Sequence, residues 1–146
     1  MTVDNGKSDL TRFVDAQDPV YAQVMSELRN GRKESHWMWY IFPQIAGLGP
    51  SIMSQRFALT SLEEAQTYLD HPVLGPRLLE CTHAMLPHEG LSARTILGSP
   101  DDMKFRSSMT LFDKAATEKG SPFERALEKF FGGQRDDKTI ALLGIC

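Results

Sequence analysis

Apolar residues recur at intervals of three and four along most of this chain, a spacing that is typical of amphipathic helices. The longest stripe places Phe105, Met109, Phe112 and Ala116 on one helical face. The pattern contains no convincing hairpin and predicts an all-α fold, a compact irregular bundle of about six to eight short helices. Shorter stripes of the same kind lie at 21–28, 62–69, 74–85 and 123–130.

Helix-capping residues define the predicted boundaries most clearly in the second half of the chain. Ser61 and Glu64 form a capping box, in which the serine side chain bonds an amide of the first turn and the glutamate reaches back. The Ser-Pro pairs at 99–100 and 121–122 each combine a cap with a proline at the first helical position. We therefore expect helices to begin directly after these positions.

The first half of the chain is less clearly patterned. Residues 36–42 are ambiguous, because Trp, Tyr and Ile favour a strand but no partner strand is evident. We interpret them as one or two helical turns that end before Pro43. Residues 1–7 have the character of a disordered lead-in, which leaves 8–146 as a single helical domain.

The composition indicates one globular domain with an ordinary core. The 146 residues are 41% hydrophobic and 24% charged, close to the average for soluble proteins. The net charge of −3 argues against nucleic-acid binding through bulk electrostatics.

Location and redox state follow from what the chain contains. No apolar run is long enough to suggest a membrane span, and the first residues do not resemble a secretory signal. Cys81 and Cys146 show no zinc-type spacing. Two free thiols in a reducing cytoplasm are the simpler interpretation, with a disulfide between them as the alternative. We expect a cytoplasmic protein.

Four separated motifs carry a resemblance to a known family. They are HWMWYIFPQ (36–44), GLGPS (47–51), EEAQTYLDHPVLGPRL (63–78) and GSPDDMKFRSSMTLF (98–112). In this order they resemble the bacterial and fungal family catalogued as domain of unknown function 1810. The resemblance implies a largely helical fold and no established activity. Members are often labelled calpastatin-like, but calpastatin-type inhibitors are disordered repetitive chains, and this sequence has capped helices without repeats.

Residues 31–54 hold the densest mixture of cations, aromatic rings and glycine. Arg32, Lys33 and His36 directly precede Trp37 and Trp39. Such a set can bind an anion through its cations, stack a ring on an indole and move a proton through the histidine. Because aromatic residues are usually buried, the alternative is a core-facing stripe with a solvated basic rim.

Further candidates flank the glycine-rich turn and lie in the 99–112 helix. Gln44 and Ser51 stand on either side of the turn, as candidate ligand-binding residues. Lys104 precedes Ser108 by one helical turn, which could activate the serine as a nucleophile, and Asp102 could carry a proton. The alternative for Asp102 and Ser108 is helix capping and an exposed polar face.

Several common chemistries are not indicated. The glycine-rich turn matches neither a Walker A loop nor a dinucleotide fingerprint, and no metal-ligand spacing or nucleophile elbow is present. We therefore predict no metal and no cofactor. A second resemblance concerns ligand class only: HPVLGPRLLECT (71–82) is similar in rhythm to small helical proteins that process ADP-ribose-linked compounds.

Two hypotheses from different classes follow, and a purely core role for the aromatic segment is the third option. In the first, residues 31–54 and the 99–112 helix enclose a pocket for a small anionic molecule, such as a nucleotide or an ADP-ribose derivative; whether the protein is an enzyme stays open. In the second, residues 36–44 form an exposed patch that docks an unidentified protein partner. The expected pocket lining is Lys33, His36, Trp37, Trp39, Gln44, Ser51, Lys104 and Ser108.

Overall fold

A computed structural model describes residues 9–144 and shows ten helices in that range. The all-α class is confirmed, but the number of helices is larger than the expected six to eight, because ten are present between residues 9 and 144. The additional ones are single turns, which leave almost no periodic signal in a sequence. In chain order the helices are α1 (Thr11–Gln17), α2 (Tyr21–Arg29), α3 (Met38–Ile41), α4 (Ile52–Arg56), α5 (Leu62–Asp70), α6 (Leu74–Met85), α7 (Ala93–Leu97), α8 (Asp101–Ala115), α9 (Pro122–Phe131) and α10 (Asp137–Leu143).

Side-chain caps begin several helices as the sequence predicts. Ser61 accepts a hydrogen bond from the Glu64 amide at the start of α5, and Ser121 does the same for Glu124 at the start of α9. The start of α8 differs, because Pro100 occupies the capping position and no side chain caps the helix. The prediction of Ser99 as its cap was therefore wrong. The Ser99–Pro100 peptide bond is cis, and the Gly98 carbonyl accepts from the Asp102 amide at 2.9 Å instead.

The ambiguous segment after residue 36 forms one helical turn, α3, and Phe42 and Pro43 follow it. Two backbone hydrogen bonds then tie the next loop to the chain beyond α4. The Leu59 amide donates to the Gln44 carbonyl at 2.9 Å, and the Ala46 amide donates to the Leu59 carbonyl at 2.8 Å. They produce an isolated parallel bridge between Ile45 and Leu59, and residues 9–144 contain no sheet.

Helix α8 is the central element of the core. It packs against α5, α7, α9 and α10. Its Phe105 ring lies edge-on to Phe42, with ring centres 4.9 Å apart, and 6.0 Å from the ring of Phe130. Because Phe42 directly follows α3, the contact with Phe105 holds the aromatic segment against the first half of α8. That contact places the two candidate regions side by side.

Some predictions concern the chain ends and the cysteines. Residues 1–7, predicted as a disordered lead-in, and Cys146 lie outside the described residues. Cys81 is a buried free thiol, and burial raises its pKa to about 12, so it is not a reactive thiol. Among the helices between residues 9 and 144, none combines the length and the apolar character needed to cross a membrane.

Candidate functional site

A cavity of about 250 Å³ lies where residues 33–39 meet the start of α8. Its walls come from two stretches that are far apart in the sequence. The Lys33 amide donates to the Ile96 carbonyl of α7 at 2.7 Å, which fixes the first stretch beside the turn that leads into α8. The lining residues are Lys33, His36, Trp37, Met38, Trp39, Ser99, Pro100 and Asp101.

Lys33 is the charged centre of this cavity. Its side chain is only 7% exposed, and its ammonium group lies 3.0 Å from a carboxylate oxygen of Asp101. The same group donates to the Ser35 carbonyl at 2.6 Å and lies 5.0 Å from the centre of the Trp37 ring. A buried ammonium needs such partners, because its desolvation is costly. Lys33 is therefore held in one position.

Lys104 brings a second positive charge to the rim. Its ammonium group lies 3.7 Å from the other carboxylate oxygen of Asp101 and 5.1 Å from the centre of the Trp39 ring. Trp39 is half-buried and lines the cavity. Two ammonium groups thus share one carboxylate, and a partly exposed indole lies beside them.

Glu27 of α2 holds the loop that carries Lys33. Its carboxylate is 4% exposed and accepts from the Glu34 amide, the Ser35 amide and hydroxyl, and the Trp37 indole nitrogen, all within 3.1 Å. A fifth hydrogen bond comes from Gln23 at 2.8 Å. Burial by itself raises the pKa of this carboxyl, but the hydrogen bonds from these groups outweigh it and lower the pKa to about 2. Glu27 is therefore a buried anion that positions one wall of the cavity.

Glu27 was missed by the sequence analysis, although it left a signal. It lies three residues after Val24 and directly before Leu28, both of which are fully buried on the apolar side of α2. A carboxylate on the buried side of an amphipathic helix needs hydrogen-bond partners. The need for hydrogen-bond partners marks Glu27 as a residue that holds neighbouring segments together, but the sequence does not reveal which residues those partners are.

The structure brings together four of the predicted lining residues, namely Lys33, His36, Trp37 and Trp39. Trp37 is 1% exposed and donates to Glu27, so its ring forms part of the wall as an anchored core residue. His36 is exposed at the edge of the cavity. The exposed Arg32 precedes Lys33 but does not line the cavity.

The other candidates have different positions. Gln44 lies in the loop that the Ile45–Leu59 bridge holds, and Ser51 caps α4 by accepting from the Ser54 amide at 3.0 Å. Neither lines the cavity. Lys104 is also absent from the lining, but it contacts Trp39 and Asp101, which do line it.

On α8, the residue that lines the cavity is not one of the two that the sequence suggests as catalytic, Asp102 and Ser108. Ser108 is fully buried and its hydroxyl has no hydrogen-bond partner among residues 9–144, so it is no nucleophile for a ligand in the cavity. One carboxylate oxygen of Asp102 is likewise buried without a partner. The neighbouring Asp101 lines the cavity instead. A helical wheel separates these two aspartates by about 100°, but it does not tell which of them faces residues 33–39.

Two other cavities have no tryptophan in their lining, although the lining of one of them includes Arg29, Glu80, His83 and His88. A cavity of about 410 Å³ beside α5 and the start of α9 includes Asp70 and Glu118 but no cation in its lining, and one of about 340 Å³ lies between α2 and α6. Between residues 9 and 144 no three His, Cys, Asp or Glu side chains cluster as metal ligands do. The cavity beside Lys33 is therefore the one that combines a buried cation, a carboxylate and a partly exposed indole.

A comparison with known protein families identifies the family. A sequence profile described as "Protein of unknown function (DUF1810)" matches residues 7–143. One similar solved structure is that of the conserved hypothetical protein Rv1873 from Mycobacterium tuberculosis, at 51% sequence identity and a TM-score of 0.91. The alignment covers 94% of this chain and 98% of that one. No curated protein matches the chain.

Proposed function

The chain belongs to the family described as protein of unknown function (DUF1810), and from the geometry of its cavity we propose that it binds a small anionic molecule. The ligand class is a nucleotide or a related phosphorylated compound with a ring. In this proposal the anionic group lies near Lys33 and Lys104, and the ring packs on Trp39. His36, at the edge, is the candidate for proton transfer if a reaction follows.

One observation carries the proposal. Lys33 and Lys104 both lie within 3.7 Å of the Asp101 carboxylate, so two positive charges face one negative charge. This excess of one positive charge lies beside a cavity whose walls shield its charged groups from water. An anion is attracted more strongly there than at an open surface. A partly exposed indole adds a flat apolar face for a ring.

The size of the cavity limits the ligand. Small-molecule pockets usually enclose about 300–1,000 Å³, whereas this cavity encloses about 250 Å³. It therefore suits a small ligand or the anionic end of a larger one, with the remainder lying across the rim at Trp39 and His36.

The competing proposal, a docking patch at residues 36–44, has less support. Trp37, Met38, Ile41 and Phe42 are each 2% exposed or less. A protein-docking patch requires exposed apolar area, and this segment places most of its apolar side chains in the core. We therefore favour the cavity.

Tryptophan fluorescence tests the proposal directly. AMP, 3′,5′-cyclic AMP and ADP-ribose are titrated separately into the protein, and at least one should change the emission in a saturable way. Trp39→Phe should remove most of this response, because Trp37 is buried and bonded to Glu27. No saturable response to any of the three, or a full response in Trp39→Phe, would contradict the proposal.

A lysine pair on α8 gives a matched control. Lys104→Met should weaken binding of the responding ligand by about tenfold to a hundredfold, since a hydrogen bond to a charged group contributes about 1.5–3 kcal/mol. Lys114→Met makes the same change in charge on the same helix, ten residues further along and outside the cavity lining. It should bind as the wild type does. Equal weakening in both variants would indicate a general charge effect.

A further inference from the structure

Asp101 decides which anions can enter the cavity, an inference that rests on the proposed function and makes it more specific. We propose that Asp101 is a specificity-determining residue that restricts the cavity to ligands with a single negative charge, such as a phosphodiester or a carboxylate.

The Asp101 carboxylate already binds both cations of the site. One oxygen lies 3.0 Å from the Lys33 ammonium and the other 3.7 Å from that of Lys104. Lys33 cannot turn away from it easily, because its side chain is 7% exposed and also donates to the Ser35 carbonyl at 2.6 Å. A ligand anion that reaches Lys33 therefore has a carboxylate as its immediate neighbour.

The sum of the charges at the site determines whether it prefers a monoanion or a dianion. Lys33, His36 and Asp101 are the titratable residues in the lining, and Lys104 joins them through Asp101. Counted over Lys33, Lys104 and Asp101 alone, two ammonium groups and one carboxylate leave an excess of one positive charge. A monoanion neutralises this excess, but a dianion adds a second negative charge close to Asp101. Like charges in a partly desolvated site repel each other strongly.

The first turn of α8 does not offset this repulsion. A helix start favours anions, but here Asp101 and Asp102 already supply two carboxylates to that turn. Without the Asp101 charge, both ammonium groups would be available to bind the anionic group of a ligand. The variant Asp101→Asn should then accept a dianion as well as, or better than, a monoanion.

A pair of nucleotides that differ mainly in charge tests this. 3′,5′-Cyclic AMP is a monoanion, whereas 5′-AMP carries close to two charges at pH 8, because the second pKa of a phosphomonoester is about 6. Both have the same adenine and ribose. Isothermal titration calorimetry at pH 8 gives the affinity of each. We expect the wild type to bind cyclic AMP about tenfold or more tightly than AMP, and Asp101→Asn to reverse this order.

Asp102→Asn is the matched control. It removes the same charge one residue further along α8, at a position outside the cavity lining, and should keep the preference of the wild type. Equal changes in the two variants would overturn the proposal, since the effect would then come from the charge of the helix start in general.

The remaining outcomes separate this inference from the proposed function. A wild type that binds AMP more tightly than cyclic AMP overturns the inference while the proposed anion site stands, and this result does not depend on whether any variant folds. A wild type and an Asp101→Asn variant that bind none of the tested anions contradict both. Circular dichroism spectra of the variants establish that they are folded.

Discussion

Single residues hold this site in place, and Glu27 is the most important of them. Its carboxylate has a folded-state pKa of about 2, below the ordinary value of 4.5. A lowered pKa means that the ionised form stabilises the fold above about pH 4.5, and that this stabilisation is lost as the pH falls towards 2. The difference corresponds to about 3 kcal/mol at neutral pH.

Glu27→Gln should therefore lower the free energy of unfolding by about 3 kcal/mol at pH 7. The difference in unfolding free energy between the variant and the wild type should become smaller as the pH falls from 4.5 to 2. Urea denaturation at a series of pH values measures this. Glu34→Gln is the control, because Glu34 is exposed and only its backbone amide bonds to Glu27. A gap that does not change with pH would show that the Glu27 charge is not what holds the loop.

The hydroxyl groups of α8 differ in a way that the sequence does not reveal. Ser108 is buried without a hydrogen-bond partner among residues 9–144. Thr110 donates to the Arg106 carbonyl at 2.8 Å and accepts from the Asp136 amide at 2.9 Å, at the start of α10. Three hydroxyls within four positions look alike in a sequence, and only the packing of α10 on α8 separates them.

This contrast predicts opposite effects of two similar substitutions. Ser108→Ala should leave stability unchanged or raise it by up to about 1 kcal/mol, because it removes an unpaired buried group. Thr110→Val should cost about 1–3 kcal/mol, since it leaves the Asp136 amide without its acceptor. Thermal unfolding measures both. A larger loss in Ser108→Ala than in Thr110→Val would refute this account of the buried hydroxyls.

At the scale of elements, helix starts were predicted well where a side chain caps them. Ser61 and Ser121 act through local bonds within three residues, which a sequence pattern contains. The start of α8 could not be predicted in the same way, because Pro100 occupies its capping position and no side chain caps it. At that start Asp101, and not Asp102, lines the cavity.

The junction of α5 and α6 gives a prediction at this scale. A Cβ atom at Gly75 would lie 2.1 Å from the Leu69 carbonyl oxygen, a backbone atom that cannot move alone. Helix propensity alone favours alanine over glycine by about 1 kcal/mol. Gly75→Ala should nevertheless destabilise the protein by about 1–3 kcal/mol, as overpacking does.

Gly90→Ala provides the comparison in the same thermal unfolding measurement. Gly90 has a φ of 77° and nothing within 4 Å of its added Cβ, so its substitution tests backbone strain without a clash. We expect the smaller loss there. A stabilised Gly75→Ala would mean that the two helices are further apart than the structure shows.

At the scale of the whole molecule, the buried apolar residues form one cluster from Leu10 to Leu127. The sequence predicts this all-α core from its stripes, and the family resemblance is confirmed by the profile match. What the stripes cannot provide is the pairing of residues 33–39 with α8, because contacts between distant segments leave no periodic signal. The Phe42–Phe105 contact and the Lys33–Asp101 pair establish that pairing.

A single core predicts cooperative unfolding. Tryptophan emission reports the cavity region, and far-ultraviolet circular dichroism reports the helices as a whole. In urea the two transitions should coincide, as they do for a two-state domain. Phe105→Ala, which empties the fully buried space between Phe42 and Phe130, should lower both midpoints together, at a cost of about 3–5 kcal/mol. A tryptophan transition at clearly lower urea would show that the cavity region unfolds by itself.

The central claim is that residues 33–39 and the start of α8 enclose an anion-binding cavity. Nuclear magnetic resonance of ¹⁵N-labelled protein, titrated separately with 3′,5′-cyclic AMP and with 5′-AMP, tests it most directly. The account predicts saturable shifts of the Trp39 indole N–H and of the Lys33, Ser99 and Asp101 amides, with little change beside the larger cavity at Leu69 and Glu118. Shifts confined to that larger cavity, or no shifts with either nucleotide up to millimolar concentration, would contradict it.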